Sequence, residues 1–243
     1  MCGRYAMAQS QEEIVAFFNL VENDSNPTLP LNWNIAPTNE IYIVKDRDRE
    51  SNQRILGSAS WGLIAPWQKS FADARASQSH AINARSESIH EKPTFRDAFR
   101  TSRCLIPATG YYEWATSLGK YSPKQPFYIT SEDGSPLSIA GIWSSWRSEK
   151  GDLIQSAAII TREAVGELAT IHSRMPVFMP RDRWSDWLDP KNRELHFLQA
   201  LMQREHPAEG LVTRPVSSRV NLVTNNGPAL IEEIELGEPE TLF

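Results

Sequence analysis

Cysteine is scarce in this chain of 243 residues, with Cys2 and Cys104 the only two. Two are too few for a disulfide framework, and neither stands in a C-x-x-C spacing. The five histidines are scattered, so no structural metal and no cofactor is expected, and a reducing cytosol suits this composition. No apolar run approaches the roughly 20 residues that span a bilayer, and the start lacks the basic-then-apolar pattern of a secretion signal. Positive charge is short as well: 25 Lys and Arg stand against 30 Asp and Glu, a formal net charge of -5. That balance argues against a protein that coats nucleic acid non-specifically; it leaves room for a local basic cleft built from a few placed arginines. Internal repeats, low-complexity blocks and linkers long enough to separate domains are missing too.

What is present is ordinary apolar material, 40% of the chain, enough for a sizeable core. Ser10-Gln11-Glu12-Glu13 matches the S-x-x-E capping box and precedes an apolar run to Phe18, which predicts a short helix. Residues 22–30 read as loop, and Asn32 to Pro37 continue it without clear periodicity. Ile41 to Val44 and Arg54 to Ile64 read as strands joined by a charged turn, 45–53. Residues 67–80 have little periodicity and form a long connection of the kind that is functional or disordered. His80 to Ala84 is strand-like, Pro93 to Phe99 a helical turn or two, and 104–106 and 110–114 are strand-like. Phe127 to Thr130 and Leu137 to Trp143 predict a hairpin across Asp133-Gly134. Leu153 to Thr161 is the strongest strand pattern, followed by a short helix over 162–169. Helices are expected at 184–188 and 193–204 and a strand at 211–216. With strands spread along the chain and short helices between them, the expectation is an α+β fold. It is read as a single domain over 1–243, a largely antiparallel, barrel-like β-sheet with short peripheral helices, and a polar tail after about residue 228.

The residues able to carry chemistry begin at Met1-Cys2-Gly3-Arg4. Cys2 is small enough to permit removal of the initiator methionine. The chain would then open on an α-amine with a reference pKa of about 8 and a thiol with one of about 8.5, on neighbouring carbons. Such an aminothiol traps aldehydes: the amine condenses to an imine, the thiol adds to the imine carbon, and a five-membered thiazolidine closes. The plainer reading is a cysteine in a frayed terminus. Asn83, between Ile82 and Ala84, is either a structural amide or one that orients a ligand or terminal amine. Glu113, in Gly110-Tyr111-Tyr112-Glu113-Trp114, is either a solvent-facing edge residue or a general acid or base with a raised pKa. Strand alternation sets Glu113 and Trp114 on opposite faces. His172, among Ile171, Ser173, Arg174, Met175 and Pro176, is either a satisfied core histidine or a proton-transfer group on a shaped loop. Arg4 and Arg85 add guanidinium forks beside Cys2 and Asn83 in sequence, a geometry suited to phosphate oxygens.

Six motifs in register complete the reading: Met1-Cys2-Gly3-Arg4-Tyr5, Asn34-Ile35-Ala36-Pro37, Trp61 to Trp67, Ile82-Asn83-Ala84-Arg85-Ser86-Glu87, Gly110 to Trp114 and Ile171 to Pro176. Together with Val220-Asn221 and Asn226-Gly227-Pro228 they make the chain resemble the SOS-response-associated peptidase (SRAP) family over nearly its whole length. The resemblance implies a single SRAP-type domain that recognises abasic sites in single-stranded DNA and crosslinks to them through Cys2 after Met1 removal. It assigns Asn83 to holding the terminal amine or the sugar, Glu113 to shuttling protons, and His172 to opening the sugar ring. It assigns Arg4, Arg85 and Arg174 to phosphates, Trp67 and Trp114 to stacking or wedge surfaces, and Pro37 to packing against the base beside the gap. Where relatives often carry two aromatics this chain has Trp67-Gln68, which implies a smaller stacking surface. The partner implied is single-stranded DNA containing abasic sites, with no membrane and no metal, bound by a cytoplasmic monomer that joins the nucleoid on DNA. Two further readings stand beside this one: a cysteine peptidase acting on Met1 or on other proteins, and a non-covalent single-stranded DNA-binding module.

Overall fold

The computed structural model describes residues 2–21, 28–46, 53–116 and 124–236. Its strands in chain order are β1 (Tyr5–Met7), β2 (Asn32–Ile35), β3 (Glu40–Asp46), β4 (Arg54–Trp61), β5 (Asn83–Arg85), β6 (Arg103–Ala108), β7 (Gly110–Trp114), β8 (Pro126–Ser131), β9 (Leu137–Arg147), β10 (Leu153–Glu163), β11 (Arg174–Pro176) and β12 (Leu211–Pro215). The helices are α1 (Gln11–Phe18), α2 (Phe71–His80), α3 (Pro93–Thr101), α4 (Leu168–Ile171), α5 (Trp184–Leu188) and α6 (Leu195–Met202).

Five strands close a barrel in the order β4-β3-β6-β9-β10, with β10 returning to β4. The β4–β10 pairing is parallel and the other four are antiparallel. The far half of β10 carries two short additions, β5 in parallel and β11 antiparallel. A second, wholly antiparallel sheet runs β12-β8-β7-β1-β2. Only Thr109 separates β6 of the barrel from β7 of the second sheet, so the chain steps from one to the other within a residue. One face of the second sheet packs on the barrel, where Tyr5 meets Trp61 edge-on at 5.3 Å between ring centroids. Between β9 and β6 a Cβ on Gly141 would stand 2.8 Å from Ile106 Cδ1 and 3.0 Å from Cys104 Sγ, so a larger residue there would have to displace those side chains.

The α+β expectation holds, with the barrel closed and its helices short. The capping box is formed: the Glu13 N–H donates to Ser10 Oγ and the Ser10 N–H to Glu13 Oε2. Several local expectations are corrected. The two strands flanking Asp133-Gly134 exist, but β8 lies in the second sheet and β9 in the barrel, so they form no hairpin. Residues 71–80 of the supposed long connection are α2, whose buried side is only Ala74 and Gln78; so thin an apolar face leaves no periodicity to read. Asn32 to Ile35 forms β2, an edge strand recruited by β1 rather than by its own pattern. The strand starting at Arg54 stops at Trp61 because Gly62 takes φ +119 against the Gln78 carbonyl. Strand β10 runs on to Glu163, and the helix expected over 162–169 is the single turn α4. The segment after 228 packs as far as Ile234: Leu230 is buried, Val216 bridges Glu233, and the Ile234 N–H donates to the Pro215 carbonyl at 3.0 Å. Part of the charged turn (47–52), part of the 22–30 loop (22–27) and the last residues of the tail lie outside the described residues.

Candidate active site

Strand register brings the start of the chain to Glu113. Tyr5 pairs with Tyr111, and the Tyr112 N–H donates to the Arg4 carbonyl at 2.9 Å. Continuing that antiparallel register sets Cys2-Gly3 alongside Glu113-Trp114. Alternation then separates the last two, as expected. Glu113 turns inward and is 4% exposed, while Trp114 turns out, half-buried, with its Nε1–H donating to Asn221 Oδ1 at 2.6 Å. Cys2 is fully buried rather than frayed. Burial pushes its thiol up, and the nearby Glu113 charge adds to the rise, so the resting group is the protonated thiol. Burial also pushes Glu113 up to about 7, which leaves that carboxyl able to give or take a proton near neutrality.

His172 is fastened to the same place from the other side. The Thr116 N–H, just past β7, donates to the Ile171 carbonyl at 3.0 Å, tying the exit of that strand to the end of α4. His172 Nδ1 then lies 4.0 Å from Glu113 Oε2. The Arg174 backbone N–H donates to Nδ1 at 3.0 Å, a shorter contact than the 3.4 Å from Nδ1 to the Arg174 carbonyl, and this favours Nδ1 as the acceptor with the ring proton on Nε2. Burial lowers the pKa of His172, which favours the neutral ring beside Glu113. Asn83 arrives on β5, held by pairing with Ile159 of β10. Its Nδ2 donates to the Cys2 carbonyl at 2.8 Å, and its buried Oδ1 has no hydrogen-bond partner among the described residues. An acceptor without a donor beside Cys2 is a position for a ligand N–H or O–H. Cys2, Asn83, Glu113 and His172 thus come together from four segments.

The expected binding residues divide into open and engaged. Arg85 is exposed on the same face of β5 as Asn83, and both line a cleft of about 670 Å³ that continues past His80, Lys92 and Phe95. Trp67 is 51% exposed on the loop after β4. Pro37 is half-buried in a turn pinned to that end of the barrel, where the Thr38 N–H donates to the Trp61 carbonyl at 2.8 Å. Arg4, by contrast, donates through Nη1 to Asn34 Oδ1 and to the Val220 carbonyl, both at 2.9 Å, with its guanidinium 5.8 Å from the Trp114 ring centroid. The fork of Arg174 is filled by Glu87, with Nη1–Oε1 2.8 Å and Nη2–Oε2 2.9 Å. Both arginines meet protein acceptors where phosphates were expected. Sequence reasoning passed over Asn34 and Glu87 as site residues. Asn34 is 3% exposed and its Nδ2 reaches the carbonyls of Val220, Leu222 and Asn225. Its one visible signal is a polar residue inside an otherwise apolar short motif. Among the described residues no group of three or more His, Cys, Asp or Glu is placed to hold a metal ion, and no helix is long and apolar enough to cross a membrane.

Comparison with known proteins gives a consistent result. The model of the SOS response associated peptidase (SRAP) family matches residues 1–223. A Bacillus subtilis protein named abasic site processing protein YoqW is 36% identical over 239 residues, covering 96% of this chain and 99% of its own. The Gallus gallus abasic site processing protein HMCES is 31% identical over 218 residues, 80% of this chain and 62% of that protein. Among solved structures, a Bacteroides thetaiotaomicron protein superposes with TM-score 0.82 at 23% identity, over 96% of this chain and 100% of that one, a likeness of fold alone. A Bordetella bronchiseptica protein superposes with TM-score 0.73 at 28% identity, over 89% of this chain and 100% of that one.

Proposed function

The chain belongs to the SOS response associated peptidase family, and from that membership and the site geometry we propose that it processes abasic sites in single-stranded DNA by crosslinking to them through Cys2. The observation that carries the reading is the convergence of Cys2, Asn83, Glu113 and His172, with Asn83 on the Cys2 carbonyl and the Glu113 charge felt at the Cys2 thiol. Removal of Met1 frees the Cys2 α-amine. An abasic deoxyribose opens to an aldehyde, the amine adds to it and water leaves, forming an imine. The thiol then adds across the C=N bond: sulfur joins carbon, the thiol proton passes to nitrogen, and the thiazolidine closes.

The environment accounts for the order of these steps. A thiol held protonated by burial is a poor first nucleophile, so the amine leads and the sulfur follows once the imine is in place. Glu113, its pKa pushed up to about 7, protonates the departing hydroxyl, regains a proton from the iminium nitrogen to leave the imine, and then relays the thiol proton to that nitrogen as the ring closes. His172, neutral with Nε2 carrying its proton, donates from Nε2 to the opening sugar oxygen. The Asn83 Oδ1 acceptor holds the amine or a sugar hydroxyl. Arg85 and Lys92 in the cleft meet phosphates flanking the lesion, and exposed Trp67 offers a surface on which a neighbouring base stacks. The product has no free aldehyde to acidify the neighbouring proton, so the strand is shielded from β-elimination.

Mature protein mixed with an abasic single-stranded oligonucleotide is expected to give a shifted band on a denaturing gel and an intact mass equal to protein plus oligonucleotide less one water. Cys2→Ala is expected to abolish both. Turnover of a peptide panel with no DNA adduct would identify a peptidase instead, and full DNA affinity with no adduct in the unaltered protein would identify a non-covalent binder.

A further inference from the structure

The residues that hold His172 in place lead away from the reacting centre to a carboxylate that nothing so far has used. The Arg174 backbone N–H accounts for the orientation of the imidazole, but a backbone group has to be held itself. Arg174 opens β11, opposite Glu163 at the end of β10. Its guanidinium is fixed at three points: the two oxygens of Glu87 at 2.8 and 2.9 Å, and the Thr161 carbonyl, which Nη2 reaches at 2.8 Å. The same Thr161 carbonyl accepts from the Ser86 N–H at 2.8 Å, next to Glu87 in sequence. Glu87 itself lies two residues past β5, the strand that carries Asn83 and Arg85. Burial alone would raise its pKa, but the Arg174 fork overrides this and holds it below the ordinary carboxylate value, so it is charged at neutral pH.

We infer that Glu87 is a positioning residue: through the Arg174 fork it locks the strand bearing Asn83 to the strand start that orients His172, and so keeps His172 Nδ1 as an acceptor. This inference rests on the crosslinking role proposed for His172. Its physical content is a two-point clamp across the site. A planar guanidinium gripped bidentately cannot rotate without breaking both bonds, and the third bond to Thr161 sets its tilt. The peptide N–H of Arg174 is thereby aimed at Nδ1, the proton stays on Nε2, and Nδ1 remains closed as a donor toward Glu113 4.0 Å away. Glu113 and His172 then act as separate proton-transfer groups.

A competing role has the opposite sign. If Glu87 only occupies a fork meant for a DNA phosphate, removing its charge frees Arg174 and strengthens DNA binding. The test therefore uses Glu87→Gln, which keeps the shape and loses the charge, with Arg174→Lys as a second variant that keeps the charge and loses the fork. In DNA-free protein, nitrogen NMR of the His172 ring is expected to report a single tautomer protonated on Nε2, and both variants are expected to shift it toward a mixture. With an abasic oligonucleotide, Glu87→Gln is expected to slow crosslinking about 10- to 100-fold, as displaced catalytic groups do, while affinity for the strand stays within about twofold. Ring resonances unchanged in both variants, with thermal melts confirming folded protein, would overturn the clamp. Tighter binding with faster crosslinking in Glu87→Gln would overturn it in favour of the phosphate mask. Should the unaltered protein form no adduct at all, the crosslinking role fails, and the DNA-free tautomer measurement still decides whether Glu87 orients His172.

Discussion

Burial keeps the Glu113 carboxyl protonated up to about pH 7, and that has a cost in stability with a definite sign. In the unfolded chain the group releases its proton near its ordinary 4.5, so between the two values the folded state binds more protons. The contribution is neutral below about pH 4.5, grows as pH rises, and is complete above pH 7, where a buried charge must be borne. At about 1.4 kcal/mol per pKa unit the upper bound is roughly 3 kcal/mol. Glu113→Gln, which never ionises, is expected to match the unaltered protein in urea unfolding at pH 4.5 and to be more stable by about 1–3 kcal/mol at pH 8. The same variant is expected to slow crosslinking or its reversal more than it weakens DNA binding. Greater stability with a slower reaction is the mark of a site residue; equal loss of rate and affinity would make Glu113 structural. Residues of this kind were legible because their chemistry clashes with their neighbours: a carboxylate between aromatics, an amide between Ile82 and Ala84, a thiol behind the first methionine. Glu87 and Asn34 were not, since each has its meaning in a partner far along the chain, Arg174 for one and Arg4 and Val220 for the other.

At the scale of elements, local pattern identified most strands and could not say which sheet each joined. Strands β8 and β9 carry the composition of a hairpin and a Gly-bearing turn between them, yet each finds a better partner elsewhere, β8 with β7 and β12, β9 with β6 and β10. The segment after β12 is the other case. Only the part beyond about residue 228 is polar enough to read as a tail, yet Leu230 there is buried like Val216 and Val220 before it, and Asn34 holds three carbonyls of the segment with one amide nitrogen. That nitrogen is the fastening between β2 and residues 220–225. Asn34→Ala removes one donor from each of three carbonyls, of which Val220 keeps Arg4 and Leu222 keeps the Asn225 N–H, and leaves Arg4 without Asn34 Oδ1, a loss expected to cost about 1–2 kcal/mol. Limited proteolysis is expected to cut the variant faster within 216–226 than the unaltered protein. A cleavage pattern that does not change would mean that the apolar contacts of Val216, Val220 and Leu230 hold the segment by themselves.

For the whole molecule, a net charge of -5 and an anionic partner stand in opposition, and the resolution lies in where the cations are. Arg4 and Arg174 are engaged with protein acceptors, whereas Arg85 and Lys92 lie along the cleft, where Glu91 stands beside Lys92. The overall field does not steer a polyanion toward this protein, so association depends on short-range contacts and on ions released from the few phosphates they meet. Each phosphate neutralised on a single strand contributes about -0.7 to the slope of log affinity against log salt. Two contacts, from Arg85 and Lys92, give an expected slope of about -1.4, far shallower than that of a basic DNA-coating protein. Arg85→Ala is expected to flatten the slope by about 0.7 and to weaken binding to every sequence alike, because a phosphate contact positions the strand without reading bases. A salt titration by fluorescence anisotropy with an intact single strand measures both. An unchanged slope in Arg85→Ala would move the DNA path out of the cleft, and a steep slope in the unaltered protein would mean that Arg4 or Arg174 exchanges its protein partner for phosphate when the strand arrives.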